Sequence, residues 1–340
     1  MPLRPEWSTR PAGPPLLQRR LCFILGKGGT GRSTVAAALA VLASRTGRRT
    51  LLIELIEGGR LSELFRTADI RTDRPVPLGP DLYGLRIDVE RATEEYLADQ
   101  LHVRPLVELM VRSRAFHAFA QAAPGLPEII TIGKIWTLAV ALRQDGDGPE
   151  WDVIVVDCPA TGHGLALLET AGKIRELAES GPIRDQAARI EEVVRHPAAT
   201  GIAVVARPEE LPVSEAIDTV AALRRNGLPA AVAVMNAVTP QRFSESDAVA
   251  LAAARAAIDG RPDDGARVAL SAALDHRRQE ASEAAMIERL ASSVDVPVVE
   301  LPRIAAPVID LEAVGRLADA LAENGEEAID PRPVEAEHAS

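Results

Sequence analysis
The stretch Gly26-Lys27-Gly28-Gly29-Thr30-Gly31-Arg32-Ser33-Thr34 matches the phosphate-loop pattern G-x-x-x-x-G-K-[ST], except that Arg32 stands where lysine is usual. Glycines at this spacing let the backbone curl until successive N–H groups point at phosphate oxygens. A helix starting directly behind the loop adds its partial positive charge. Gly26, Gly28, Gly29, Thr30, Gly31, Arg32, Ser33 and Thr34 are therefore candidates for cradling the phosphates of ATP or ADP, with the Ser33 hydroxyl offered to Mg²⁺. A second chemical centre is Trp151-Asp152-Val153-Ile154-Val155-Val156-Asp157-Cys158-Pro159-Ala160-Thr161-Gly162-His163-Gly164. An aspartate at the carboxyl end of a buried strand is where a phosphate-loop enzyme organises its Mg²⁺ shell, so Asp157 is expected to reach the ion through water. The small residues after it would lie beside the γ-phosphate and permit nucleotide-dependent movement. Two plainer readings stand beside these: a glycine-rich turn that holds nothing, and an ordinary strand end capped by aspartate.

Such residues need a strand before the loop and a helix after it. Leu21 to Leu25 is a short apolar run of strand type, and Thr34 to Ala43 is helix-forming. Further strand-like runs fall at Thr50 to Ile56, Val153 to Val156, Ile202 to Val205, Ala230 to Val234 and Val296 to Leu301. Helical patterns alternate with them at Pro212 to Arg225, Ser244 to Asp259, His276 to Ser292, and Asp310 to Glu323 with Gly325 beyond. This alternation predicts an α/β fold, a mostly parallel sheet flanked by helices. The segment from about 90 to 145 has helical character and no convincing strand, and reads as an inserted helical subdomain. The expected organisation is a flexible tail over 1–20, a nucleotide-binding domain over 21–324 carrying that insertion, and an acidic flexible tail over 325–340.

Composition narrows the function classes. The chain has 340 residues, is 47% hydrophobic and carries a net charge of −11, which disfavours a broad nucleic-acid footprint or a polybasic membrane patch. Cys22 and Cys158 are the two cysteines, too few for a disulfide framework, and no run has the length of a membrane span or a signal peptide. A cytoplasmic location is expected. Of 38 lysines and arginines only Lys27, Lys134 and Lys173 are lysines, so a lysine retained at position 27 suggests a specific role, set against a merely solvated loop cation.

The residues 26–34 resemble the deviant Walker A loop of the ArsA/Get ATPases, and Asp157-Cys158-Pro159-Ala160-Thr161-Gly162-His163 resembles their switch II. Also similar are Ala123-Pro124-Gly125-Leu126 leading to Gly133-Lys134-Ile135, and Arg207-Pro208-Glu209-Glu210-Leu211-Pro212-Val213. The likeness spans about 20–324 and is nearest to actinobacterial ArsA-like proteins described as anion transporters. It implies a dimeric ATPase using ATP and Mg²⁺, in which Lys27 reaches across the dimer interface to the partner's nucleotide. It further implies that Asn236 contacts adenine, with Leu301-Pro302-Arg303 near the base and Pro302 counted in the binding site.

This chain departs from that family at two reacting positions. The switch I aspartate that orients the attacking water aligns, without gaps, on Ile56; Glu57 beside it is the candidate substitute after a one-residue shift, and Glu54 lies two residues away. Isoleucine cannot accept a proton. Arg32 replaces a compact ammonium with a longer planar fork. Lys27 (in trans), Arg32 and Glu57 are thus the candidate catalytic residues. The expectation is an ATP-binding subunit with weak hydrolysis of its own, paired with a more active relative and supplying Lys27 to it. A competent homodimer driving anion transport or membrane-protein targeting, and a non-enzymatic structural subunit, are the alternatives.

Two cysteines without C-x-x-C supply neither a metalloid site nor a bridging zinc, and His163 reads as a loop residue. Leu97, Leu101, Leu106, Leu109, Met110, Phe116 and Phe119 could hold a hydrophobic client or membrane component, or could pack the insertion's own core. A positioning ATPase of the MinD/ParA kind is disfavoured by the acidic C-terminal end.

Overall fold
The structure is a computed structural model that describes residues 13–55, 60–67, 70, 74–89, 91–93, 125–143, 148–257, 264–306, 308–330 and 332. Eight strands appear: β1 (Leu21–Gly26), β2 (Thr50–Glu54), β3 (Val76–Gly79), β4 (Leu82–Arg86), β5 (Val153–Asp157), β6 (Thr200–Ala206), β7 (Ala230–Val238) and β8 (Val298–Pro302). They form one sheet in the order β3-β4-β2-β5-β1-β6-β7-β8. Every neighbouring pair is parallel except β3 with β4 at one edge. A parallel sheet is covered on both faces, so its strands read as continuous apolar runs. β1, β2, β5 and β6 are buried at every position.

Strand periodicity divides the core in two. Leu21, Phe23 and Leu25 face one layer with Ile154 and Val156, beneath helices Leu126–Val140, Thr161–Leu177, Pro182–Arg195 and Glu210–Arg225. Cys22 and Ile24 face the other, where helix α1 (Arg32–Ser44) and helix Leu311–Asn324 supply Val35, Leu39, Val314, Leu317 and Leu321. Asp310 caps the latter helix by accepting the Ala313 N–H at 3.2 Å. No helix among the described residues is long and apolar enough to cross a membrane.

Several boundaries differ from the sequence reading. β3 and β4 are additional to the expected strands, because Pro77, Gly79, Pro80 and Gly84 interrupt any apolar run there. The long helix starts at Asp264 rather than His276 and runs to Ser293. The N-terminal tail does not extend to residue 20: Leu16 and Leu17 are fully buried, and Arg19 donates to the carbonyls of Pro14 and Thr200 at 2.8 and 3.0 Å. At the other end Ile329 is buried and Asp330 accepts from Gln18 Nε2 at 3.2 Å. Three apolar side chains docking on the α1 layer outweigh the prolines and charges that favour mobile ends. Of the expected insertion, helix Leu126–Val140 is present, with an isolated bridge between Leu142 and Pro149. Residues 94–124, with the apolar side chains from Leu97 to Phe119, lie outside the described residues.

Phe23 is fully buried on the central strand β1. Phe23→Ala is expected to lower stability by about 3–5 kcal/mol, read as a shifted urea midpoint.

Candidate nucleotide site
Parallel strands deliver their carboxyl ends to one edge of the sheet, and open α/β sheets bind ligands there. β1 ends in the loop Lys27–Gly31. Gly29 and Gly31 have φ of 87° and 85°, left-handed values that ordinary side chains disfavour. Thr30 is buried, its N–H and hydroxyl both directed to the Lys27 carbonyl at 3.4 and 2.9 Å. Gly31 then opens α1, and the Val35 N–H makes the first helical bond to its carbonyl at 3.0 Å. The earlier N–H groups of that helix are left for an anion.

Asp157 ends β5 opposite both neighbours: it is in register with Ile24 of β1 and with Glu54 of β2. Its carboxylate is fully buried. Arg32 Nε donates to Asp157 Oδ1 at 3.4 Å, and Arg32 Nη1 donates to the Gly26 carbonyl. The guanidinium is itself buried, so it is folded back onto its own loop. Burial pushes the Asp157 carboxyl above its ordinary value, Glu54 pushes the same way, and Ser33 and Arg32 oppose. Glu54, also fully buried, accepts from the Leu61 N–H at 3.1 Å and from Arg86 Nε at 3.0 Å.

Asp157 Oδ2 accepts no hydrogen bond although it is buried. An ionisable oxygen left without a donor, beside a loop serine, is the donor set a hydrated divalent cation needs. Ser33 and Asp157 therefore fit Mg²⁺, which if bound would offset phosphate charge. Among the described residues no group of three or more His, Cys, Asp or Glu side chains is arranged to hold a metal by itself. Cys22 and Cys158 are buried, and burial pushes the Cys22 thiol up to about 12 and the Cys158 thiol higher still, so both stay protonated at neutral pH.

Asn236, near the end of β7, is brought to the loop. Its Nδ2 donates to the Thr30 carbonyl at 2.8 Å. A cleft of about 810 Å³ opens beyond it, walled by Val238 to Gln241, by Leu301 and Pro302 of β8, and by Glu280 and Glu283. Pro302 thus lines a cleft beside the end of β7. Lys27, half exposed, is held by its own chain: Nζ pairs with Glu215 Oε1 at 2.6 Å. At this exposure the pair is worth about 0–1 kcal/mol, too little to anchor the lysine against a phosphate. His163 falls in the first turn of helix Thr161–Leu177 rather than in a loop, and is exposed. Ile56 and Glu57 lie outside the described residues.

The spacing of residues does not point to Glu215, Glu283 or Thr239. Each is remote from the loop in sequence, and no motif marks them; only helix packing brings them near.

The sheet order and flanking helices are those of a P-loop NTPase-type α/β fold. Residues 19–181 match the family described as anion-transporting ATPase. The ATPase BagA of Mycobacterium tuberculosis is 29% identical over 334 residues, covering 94% of this chain and 96% of that protein. ATPase GET3B of Arabidopsis thaliana is 26% identical over 280 residues, 67% of this chain and 66% of that protein. The arsenical pump-driving ATPase of Escherichia coli is 26% identical over 248 residues, 68% of this chain but 41% of that protein. The chain thus resembles ATPases of the ArsA and GET3 kind in sequence.

Two outcomes test the site. A Cβ on Gly31 would stand 2.2 Å from Asn236 Nδ2, in a backbone conformation that side chains disfavour. Left-handed strain alone costs about 1–2 kcal/mol, so Gly31→Ala is expected to weaken binding of a fluorescent ATP analogue by at least about tenfold. For Asp157, a raised value means that the folded state holds the proton more tightly than the unfolded chain does. The carboxyl then favours folding at acid pH and opposes it once pH has risen through that value. Asp157→Asn should raise the melting temperature at pH 7 while abolishing the Mg²⁺ dependence of nucleotide binding measured by calorimetry.

Proposed function
We propose that this chain is an ATP-binding subunit of an ArsA/Get-like dimeric ATPase, slow in hydrolysis alone and acting with a more active related chain. The observation that carries the reading is the inward fold of Arg32 onto Gly26 and Asp157. A phosphate-loop lysine is a flexible point charge that follows the transferring phosphoryl group. A buried guanidinium held by a carbonyl and a carboxylate is less free to do so.

In this reading the loop glycines and the start of α1 bind the phosphates, Ser33 and Asp157 hold the Mg²⁺ hydration shell, and Asn236 and Pro302 line the base. Lys27 leaves Glu215 for the partner's nucleotide, where a cation delivered across an interface is worth on the order of 10³–10⁵ in rate. Glu57 is the proposed carboxylate near the attacking water. Glu54 is spent on Leu61 and Arg86 and serves better as a brace for the β2 end than as a base.

A competent homodimer is the second reading, favoured by the near full-length similarity to a relative whose printed name, ATPase BagA, describes it as an ATPase. Anion transport, delivery of a hydrophobic client and a cytoplasmic site of action are proposals that rest on the relatives alone.

Calorimetry with Mg²⁺ and ATP or ADP should show binding by the isolated chain, with phosphate release far below that after addition of the partner chain. Arg32→Lys should raise the isolated rate. Hydrolysis by the isolated wild type at the rate of its relatives, abolished in Arg32→Ala, would overturn the impaired-subunit reading.

A further inference from the structure
The carboxyl end of β7 is strained. Its pairing with β8 slips between Met235 and Val238, and inside the slip Ala237 has a φ of 62°, a left-handed value for a residue that carries a Cβ. Such a conformation persists only where the surroundings over-determine it. The slip matters because it is where Asn236 leaves the regular ladder and reaches the Thr30 carbonyl.

Three sets of contacts hold the slip, and they converge on one carboxylate. The Thr239 N–H donates to Glu283 Oε2 at 2.6 Å, and the Thr239 hydroxyl to Glu283 Oε1 at 2.8 Å. The Arg303 N–H donates to the Val238 carbonyl at 2.7 Å and its Nε to the Ala237 carbonyl at 3.4 Å. Arg303 Nη2 in turn pairs with Glu283 Oε1 at 3.1 Å, which also accepts Gln279 Nε2 at 2.9 Å. Glu283 is 5% exposed and projects from the helix Asp264–Ser293, far in sequence from either loop. A buried carboxylate saturated by donors from the ends of both β7 and β8 costs desolvation that packing alone would not require.

We propose that Glu283 is a positioning residue for the base side of the nucleotide site. By clamping Thr239 and Arg303 it keeps Ala237 left-handed, and so keeps Asn236 aimed at the loop and the cleft walls in place. Glu283 touches no phosphate, and its contribution falls on recognition of the nucleobase. The inference rests on the reading of Asn236 and Pro302 as base-side residues.

The test uses the full chain, with calorimetry of Mg²⁺-ATP and of Mg²⁺ with inorganic triphosphate, on wild type, Glu283→Gln, Ala237→Gly and the double variant, each checked for a cooperative melt. Glu283→Gln keeps the shape of the side chain and removes its charge. It should weaken ATP by about tenfold, a fraction of the strain released, and triphosphate by less, so that the affinity ratio falls. Ala237→Gly lets the left-handed backbone form without strain and should restore the ratio in the Glu283→Gln background. A purely structural role for Glu283 would not be rescued by a change at Ala237. An unchanged ratio, or no rescue, overturns the inference while leaving the base-side reading intact. Wild type binding triphosphate as tightly as ATP overturns the base-side reading, and the inference with it.

Discussion
A carboxylate at the end of a central parallel strand is surrounded by apolar side chains and by the ends of its neighbours, and its charge has to be met locally. In this protein Asp157 is met on one oxygen by Arg32, while the other is left without a donor. The rest of the site follows from that arrangement. The loop between β1 and α1 curls so that the Arg32 guanidinium reaches both Asp157 and the Gly26 carbonyl, and Ser33 falls beside the carboxylate. Burial raises the cost of the ionised form, as expected where a cation belongs and the chain does not fully supply one.

The sheet order makes the convergence possible. β5 lies between β1 and β2, so the phosphate loop, Asp157 and Glu54 arrive side by side. β6 separates β1 from β7, yet Asn236 crosses that gap because the β7–β8 pairing slips at Ala237. A straight ladder would have kept Asn236 in the pleat. Strain at one residue is thus exchanged for a tie between the end of β7 and the loop after β1, with Glu283 and Arg303 holding the strained end in place.

Much of this is legible in the residue order. The loop is readable because phosphate binding demands glycines at fixed spacing, and a contiguous motif needs no tertiary information. Asp157 is readable because a fully apolar strand that ends in a single acid places a charge where only a cation can meet it. The parallel sheet is readable from uninterrupted runs such as Val153 to Val156. β3 and β4 are not, since prolines and glycines hide short edge strands whose partners are supplied by β2. Leu16, Leu17 and Ile329 escape a sequence reading because a composition rich in proline or acids says nothing about three apolar side chains that find a shared pocket.

The sequence by itself determined the local features: a curled glycine-rich loop, an arginine in the lysine position of its motif, a strand-end aspartate, and a parallel sheet to carry them. These depend on local backbone preference and on patterning, which are written in adjacent residues. Only the tertiary structure decided that Arg32 turns inward to Asp157, that Lys27 rests on Glu215, and that Glu283 clamps the end of β7. Each of these joins residues far apart in the chain. The pairing is chosen by helix packing and by the need to satisfy buried charge, neither of which has a sequence spacing.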